Sequence, residues 1–447
     1  MYTVTVGLEI HAELRTATKM FCGCRNDPDE KKPNLNVCAV CLAHPGSLPV
    51  INQEAVRKVL MVGAALKGTL ADYTEFDRKN YFYPDIPKGY QLSQYKFPLV
   101  SGGALDGVVL TRIHLEEDTA RSQHVGENSL VDYNRAGVPL MELVTEPTIH
   151  SAEDASRFAK ELQLLLRALN AGEANLEKGE MRVEANISVS KDSTLGTKVE
   201  VKNLNSFRSV ERAIAYEIKR QSEVLERGET IVQETRGWDE AKQQTFSQRK
   251  KESSHDYRYF PDPDLPSLKL SLLPELLNPT LPELPWQRRE RLHTLGFLQE
   301  QDIEQLLTDV DLAGLFAKAE ERLQKPELLK VAANFILNDI AGQRKKDPTW
   351  LPSVDLLVAV VEQYHQGTLA SPQAKASILS GTIAAAGDST EIPTIVQKVI
   401  DANPAVIADY RAGKQAALQF LIGQGMKASK GSANPQLLRE TIQKILG

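Results

Sequence analysis

Long apolar runs are missing from this 447-residue chain, and so is any secretory pattern at its N-terminus. A membrane-spanning helix needs about 20 consecutive apolar residues, and a secreted disulfide scaffold needs an exported chain. The first class is excluded and the second loses ground, and a soluble cytoplasmic protein with no membrane partner is expected. Surplus positive charge is missing as well: 53 Lys and Arg against 59 Asp and Glu leave a net charge of −6. Wholesale electrostatic coating of nucleic acid is therefore excluded, and any such contact must be local. No Gly-x-x-x-x-Gly-Lys-Ser/Thr loop occurs, so a nucleotide would be held through metal-bridged phosphates rather than a glycine cradle. No Gly-x-Ser-x-Gly elbow, internal repeat or low-complexity tract is present either.

Cysteine is scarce, and all of it lies together. Cys22 and Cys24, a thirteen-residue spacer, then Cys38 and Cys41 make up the whole complement. Two short pairs joined by a polar loop can bring four thiolates round one tetrahedral ion, and soft four-sulfur ligation favours Zn²⁺. The competing readings are two disulfides or a redox Cys-x-x-Cys. With every cysteine used as a ligand the metal has no open position, so a structural zinc is expected.

Proline divides the chain. Pro261, Pro263, Pro266, Pro274, Pro279, Pro282 and Pro285 cannot occupy helix interiors or central strands. Before them the pattern mixes period-2 segments with a few helices; after them it is almost wholly helical. Residues 151–170 predict a helix capped by Ser151, with an apolar stripe from Ala155 through Leu169. A second helix is predicted over 206–227, with Phe207, Val210, Ile214, Ile218 and Leu225 inward and Gly228 as the stop.

The strands carry the candidate chemistry. From Thr3 to His11, alternation puts Val4, Val6, Leu8 and Ile10 on one face and Glu9 with His11 on the other, ~7 Å apart. Met181–Val189 repeats the pattern with Arg182, Glu184, Asn186 and Ser188 on its polar face, and Lys198–Lys202 presents Glu200. Each polar face alone reads as a wet one. The segment Ile113–Asp118 differs, because Glu117 shares a face with Ile113 and Leu115 while His114, Glu116 and Asp118 lie opposite. If that apolar face is buried, Glu117 must be paired, protonated or bound to a cation. An acidic cluster with one imidazole suits Mg²⁺ or Mn²⁺, a second metal type distinct from the cysteine site. Between these segments, Phe76–Asp85 with Lys88, Tyr90 and Gln94 mixes charge and aromatics. It reads either as a solvated strand or as a polyphosphate clamp built on Arg78, Lys79 and Lys88.

Six motifs taken in order, namely Gly7–His11, Phe76–Asp85, His114–Asp118, Asp132–Arg135, Val201–Phe207 and Asp256–Pro261, closely resemble the B-subunit family of aspartyl/glutamyl-tRNA amidotransferases over essentially the whole chain. The resemblance implies an α+β fold: an N-terminal cradle with an antiparallel, glutamine synthetase-like sheet over 1–290, carrying the zinc insert at 22–41. An all-α helical domain over 291–370 and a YqeY-like tail over 371–447 would follow. It implies a carbon–nitrogen ligase with glutamine as amido-N-donor. ATP phosphorylates the side-chain carboxylate of misacylated Glu-tRNA(Gln), Asp-tRNA(Asn) or both, and ammonia then displaces phosphate. By motif, Glu9, His11, Glu116, Glu117 and Glu200 fall where the family places its catalytic Mg²⁺ ligands. Lys79, Lys88 and Glu184 fall on the substrate and ammonia path, which replaces the clamp reading for the two lysines.

The resemblance also implies partners: an amidase A subunit that liberates the ammonia and a small C subunit. Lys414, Lys427 and Lys430 fall in the tail region that approaches tRNA. From Val406 onward six basic residues face only Asp409 and Glu440, in keeping with phosphate contact. The chain departs from the family pattern at Glu184, where many members have Asp. It departs again at Gly425, where a larger apolar residue is usual and a cost of roughly 1 kcal/mol to the helix is expected. Two other readings compete: a zinc-stabilised tRNA-binding scaffold without phosphorylating activity, and the archaeal E-subunit relative, for whose inserted domain this chain has no room.

Overall fold

The structure is a computed structural model, and it describes residues 2–192, 194–250, 257–383, 392–411, 414–429, 433 and 435–447. The chain forms two compact units, Met1–Pro285 and Trp286–Gly447.

The first unit is built on a ten-stranded sheet. In spatial order it runs Gln244–Lys250, Glu234–Asp239, Val199–Leu204, Met181–Ser190, Thr3–Glu13, Pro139–Thr145, Val108–Glu117, Val100–Ser101 and Thr69–Leu70, with Ala104–Leu105 paired on the Val108–Glu117 strand. Every pairing is antiparallel except that between Val199–Leu204 and Glu234–Asp239. The first strand is central, so its alternation separates two environments. Val6, Leu8 and Ile10 are buried in the core with Val183, Ala185 and Ile187 of the neighbouring strand, while Glu9 and His11 point to the opposite face.

Helices Ala152–Ala168 and Phe207–Glu226 pack together, and the second lies on the Met181–Ser190 strand. Ser151 caps the first helix by accepting the Asp154 N–H at 3.0 Å. Gly228 follows the second helix at a positive φ of 74°, which only glycine adopts without strain. The inward stripe of that second helix differs from the sequence expectation. Val210 and Ile214 are buried, but Ile218 and Leu225 are only partly so, and Glu217 and Gln221 take the inner positions. Glu217 is tolerated there because Arg220, Gln221 and Thr245 donate to its oxygens. A small sheet, Phe260–Pro261, Asp77–Asn80 and Tyr90–Ser93, brings Lys79, Gln91 and Ser93 to a cleft shared with Glu9 and His11 of the large one.

The described part of the second unit is helical. Its last four helices, Ile392–Ala402, Pro404–Arg411, Gln415–Ala428 and Pro435–Leu446, close round their own core of Val396, Leu421, Leu438 and Ile442. Here Gly425 has a packing reason: a Cβ at that position would lie 3.0 Å from Leu438 Cδ2. The missing side chain lets Leu438 sit against the helix backbone, which answers the loss expected from helix propensity.

Candidate functional site

Strand register assembles the site. His114, Glu142, His11 and Arg182 stand opposite one another on four successive strands, and Glu9 stands opposite Glu184 in the adjacent same-face row. Neighbouring strands are about 4.8 Å apart, so positions far apart in sequence become side-chain neighbours. Together with Glu116, Glu200, Lys79, Arg112, Lys202 and the rings of Tyr81, Tyr257 and Tyr259, they line a cleft of about 400 Å³.

At its floor, His11 Nε2 lies 3.4 Å from Glu116 Oε1, 3.5 Å from Glu142 Oε2 and 3.9 Å from Glu9 Oε1. His114 Nε2 lies 3.2 Å from the same Glu142 oxygen, and Arg112 lies 3.7 Å from the other. Burial opposes a charge on His11, but the hydrogen bonds and negative charges of Glu116 and Glu142 outweigh it and push the imidazole up to about 10. Burial would raise both carboxyls; the histidines hold Glu142 well below the usual range, and His11 with Lys79 holds Glu116 down. Glu9 is raised, first by burial and then by Glu142. A proton on His11 thus fills the electrostatic place of a cation. The donors fit one: Glu9, His11 and Glu142, and likewise His114, Glu116 and Glu142, offer ligand atoms within 4.8 Å of one another. Glu116 Oε2 is buried with no hydrogen-bond partner, an orphan that a hard cation would satisfy.

Of the residues expected as catalytic Mg²⁺ ligands, Glu9, His11, Glu116 and Glu200 line this cleft and Glu117 does not. Glu117 points to the other face of its strand, where its carboxylate oxygens lie 2.5 and 2.6 Å from Lys88 Nζ. It also accepts the Leu92 N–H at 3.0 Å. A buried carboxylate on the apolar face is therefore paired with an ammonium, one of the resolutions its burial required, and it stands apart from the groups of Glu9, His11, Glu116, Glu142 and His114 that could share a cation. Lys88 and Glu117 line a second cleft, of about 220 Å³, with Cys22, Cys41, His44 and Tyr90. Lys79 and Glu184 stay in the first cleft, and Glu184 is bound to Lys202 at 2.5 Å. Glu200 accepts from Thr235 Oγ1 at 2.7 Å. Arg78 is not available as a clamp, because its Nε donates to Asp262 Oδ2 at 2.6 Å.

Glu142 was not legible as a site residue. It stands alone in the apolar run Pro139–Thr145, and the one signal was the cost of burying a lone carboxylate in such a strand.

The four cysteines come together as free thiols, their sulfurs within 4.8 Å of one another. Cys38 and Cys41 sulfurs are 3.9 Å apart, close to the roughly 3.8 Å edge of a tetrahedron with Zn–S bonds of about 2.3 Å. Hydrogen bonding with Cys22, more than any other cause, pulls the Cys41 thiol down to about 5, with the charge of Lys19 assisting; burial pushes Cys24 up to about 11. In the tail, Lys414 is exposed and paired with Asp409 at 2.8 Å, and Lys427 is exposed. Lys430 lies outside the described residues.

The sheet's polar face gathers imidazoles and carboxylates beneath cations and tyrosines, and the described part of the second unit is helical, the composition of a mixed α/β chain with one acidic cleft. Residues 4–273 match the family model described as GatB/GatE catalytic domain, and residues 315–446 match that described as GatB domain. The chain belongs to the B-subunit family of the tRNA-dependent amidotransferases. It is 41% identical to the B subunit of the aspartyl/glutamyl-tRNA(Asn/Gln) amidotransferase of Caldanaerobacter subterraneus, over 100% of this chain and 99% of that one. It is 43% identical to the corresponding chain of Thermomicrobium roseum over 100% and 99%, and 40% identical to that of Coxiella burnetii over 99% of each. No helix among the described residues is long and apolar enough to cross a membrane.

Proposed function

We propose that this chain uses ATP to phosphorylate the side-chain carboxylate of misacylated Glu-tRNA(Gln), Asp-tRNA(Asn) or both, and that ammonia then forms the amide at the same site. As a carbon–nitrogen ligase with glutamine as amido-N-donor, it would act in the cytoplasm with an amidase A subunit and a small C subunit. The observation that carries this is the shared floor of His11, Glu9, Glu116 and Glu142 with the orphaned Glu116 Oε2. These residues, with Glu200 beside them, would hold Mg²⁺, whose charge neutralises phosphate oxygens during in-line transfer. The protein's own residues position the rest. Lys79, Lys202 and Arg112 supply positive charge round the acidic floor, and the substrate carboxylate is itself the nucleophile, so no covalent protein intermediate is needed.

Ammonia would enter through the second cleft. Glu117 and Lys88 stand in it, and Gln91, which donates to the Glu117 carbonyl at 2.7 Å, lines the acidic cleft beyond. The cysteines would hold a structural Zn²⁺ that clips the loop after the first strand. Lys414, Lys427 and Lys430 of the tail, proposed as 371–447 after a helical domain of 291–370 and a cradle of 1–290, would meet tRNA phosphates.

The test is reconstitution with both partner subunits, ATP and glutamine, offering each misacylated tRNA separately. Glu116→Gln and Glu142→Gln should bind tRNA as the parent does and lose ATP-dependent phosphorylation by at least about a hundredfold, the scale of one transition-state charge contact. Unchanged phosphorylation in both variants overturns the reading and leaves a tRNA-binding scaffold.

A further inference from the structure

Lys19 is fully buried, at 0% exposure. Its ammonium donates to the Tyr133 carbonyl at 3.1 Å, and among the described residues no carboxylate is paired with it. A buried ammonium held by one neutral carbonyl is costly unless an anion lies near. The groups gathered nearby are the four cysteine sulfurs, which are anionic when they hold a metal. The Lys19 backbone N–H donates to the Cys24 carbonyl at 3.0 Å, tying the residue to the first cysteine pair. Its side chain lies beside the second pair: a Cβ built on Gly137 would be 3.7 Å from Lys19 Cδ and 3.8 Å from Cys41 Cβ, so the two side chains flank one glycine.

Four thiolates round Zn²⁺ leave two negative charges uncompensated, and Cys41, the buried member of the four, is the one that shares Gly137 with Lys19. We propose that Lys19 is the built-in counter-cation of the cysteine metal centre, a positioning residue that sets how tightly the four sulfurs hold Zn²⁺. The buried ammonium and the partly buried anionic centre each offset part of the other's desolvation cost. The inference rests on the zinc reading given under Proposed function.

The test uses the full chain. Zinc content is measured by elemental analysis, and affinity by competition with a chromophoric chelator. The parent should carry one zinc per chain. Lys19→Met should weaken zinc binding by about 10–100-fold, the range for outer partners of metal ligands. Lys19→Gln, which can keep the hydrogen bond to Tyr133 but not the charge, should weaken it equally, and Lys19→Arg should stay within about threefold of the parent. Lys58→Met removes another buried lysine, bound to the Asn170 carbonyl at 2.5 Å, and should leave zinc affinity unchanged. Should the Met variant fail to fold, the Gln and Arg pair still separates charge from packing. Parent-like affinity in Lys19→Gln overturns the counter-cation role while the zinc reading stands. A parent that takes up no zinc overturns both.

Discussion

Glu116 and Glu117 are adjacent in the chain, yet the structure gives them opposite work, and substituting around each tests it. The Glu117 side chain is 7% exposed and meets Lys88 Nζ at 2.5 Å. At that separation and an effective dielectric of ~20, the attraction is roughly 6–7 kcal/mol before desolvation is charged against it. Leaving one member of such a pair buried alone costs about 3–5 kcal/mol. Lys88→Met should therefore lower the cradle's melting temperature by roughly 6–20 °C, at about 2–4 °C per kcal/mol for a domain of this size. The double variant Lys88→Met/Glu117→Leu should recover most of the loss, because apolar replacement of a buried pair is often neutral. None of these changes should alter Mn²⁺ affinity at the acidic cleft, read by electron paramagnetic resonance. Glu116→Gln should do the reverse, weakening Mn²⁺ by at least about tenfold with a smaller thermal effect. The reasoning is refuted if Glu117→Gln weakens Mn²⁺ as much as Glu116→Gln does, or if Lys88→Met melts with the parent.

Glu13 is pushed up to about 7, first by burial and next by the charge of Asp118. Its folded value exceeds its unfolded one, so its stability contribution is full below about 4.5 and lost as pH rises through about 7. With metal chelated, Glu13→Gln should be about 1–3 kcal/mol more stable than the parent at pH 8 and gain nothing near pH 4.5; urea melts at both values check this, and a pH-independent difference contradicts it. Gly425→Leu should loosen the tail, since even a Cβ there meets Leu438 at 3.0 Å; a loss of about 1–3 kcal/mol is expected in thermal melts, and a more stable variant would show that the packing account is wrong. Lys414→Ala with Lys427→Ala should weaken tRNA binding and reduce the salt slope by roughly one to two, measured by filter binding from low to moderate salt; an unchanged slope excludes phosphate contact by these lysines.

Sequence alone determined the faces. Period-2 alternation places Glu9 and His11 together whatever the strand's neighbours, and the capping pattern at Ser151 sets a helix start from local bonds. The cysteine pairs were legible for the same reason, since short spacing confines two sulfurs before any fold is known. The motifs shared with the amidotransferase family supplied its outline. Tertiary structure alone decided which faces meet. Glu142 joined the acidic cleft through its register with His11 and His114, and Glu117 lies outside that cleft, held by Lys88, 29 positions earlier in the chain, on the opposite side of the strand. The cost of burying a carboxylate could be foreseen from the chain, but whether an imidazole, an ammonium or a metal offsets it depends on what cross-strand register brings within about 4 Å, and local periodicity carries no record of that.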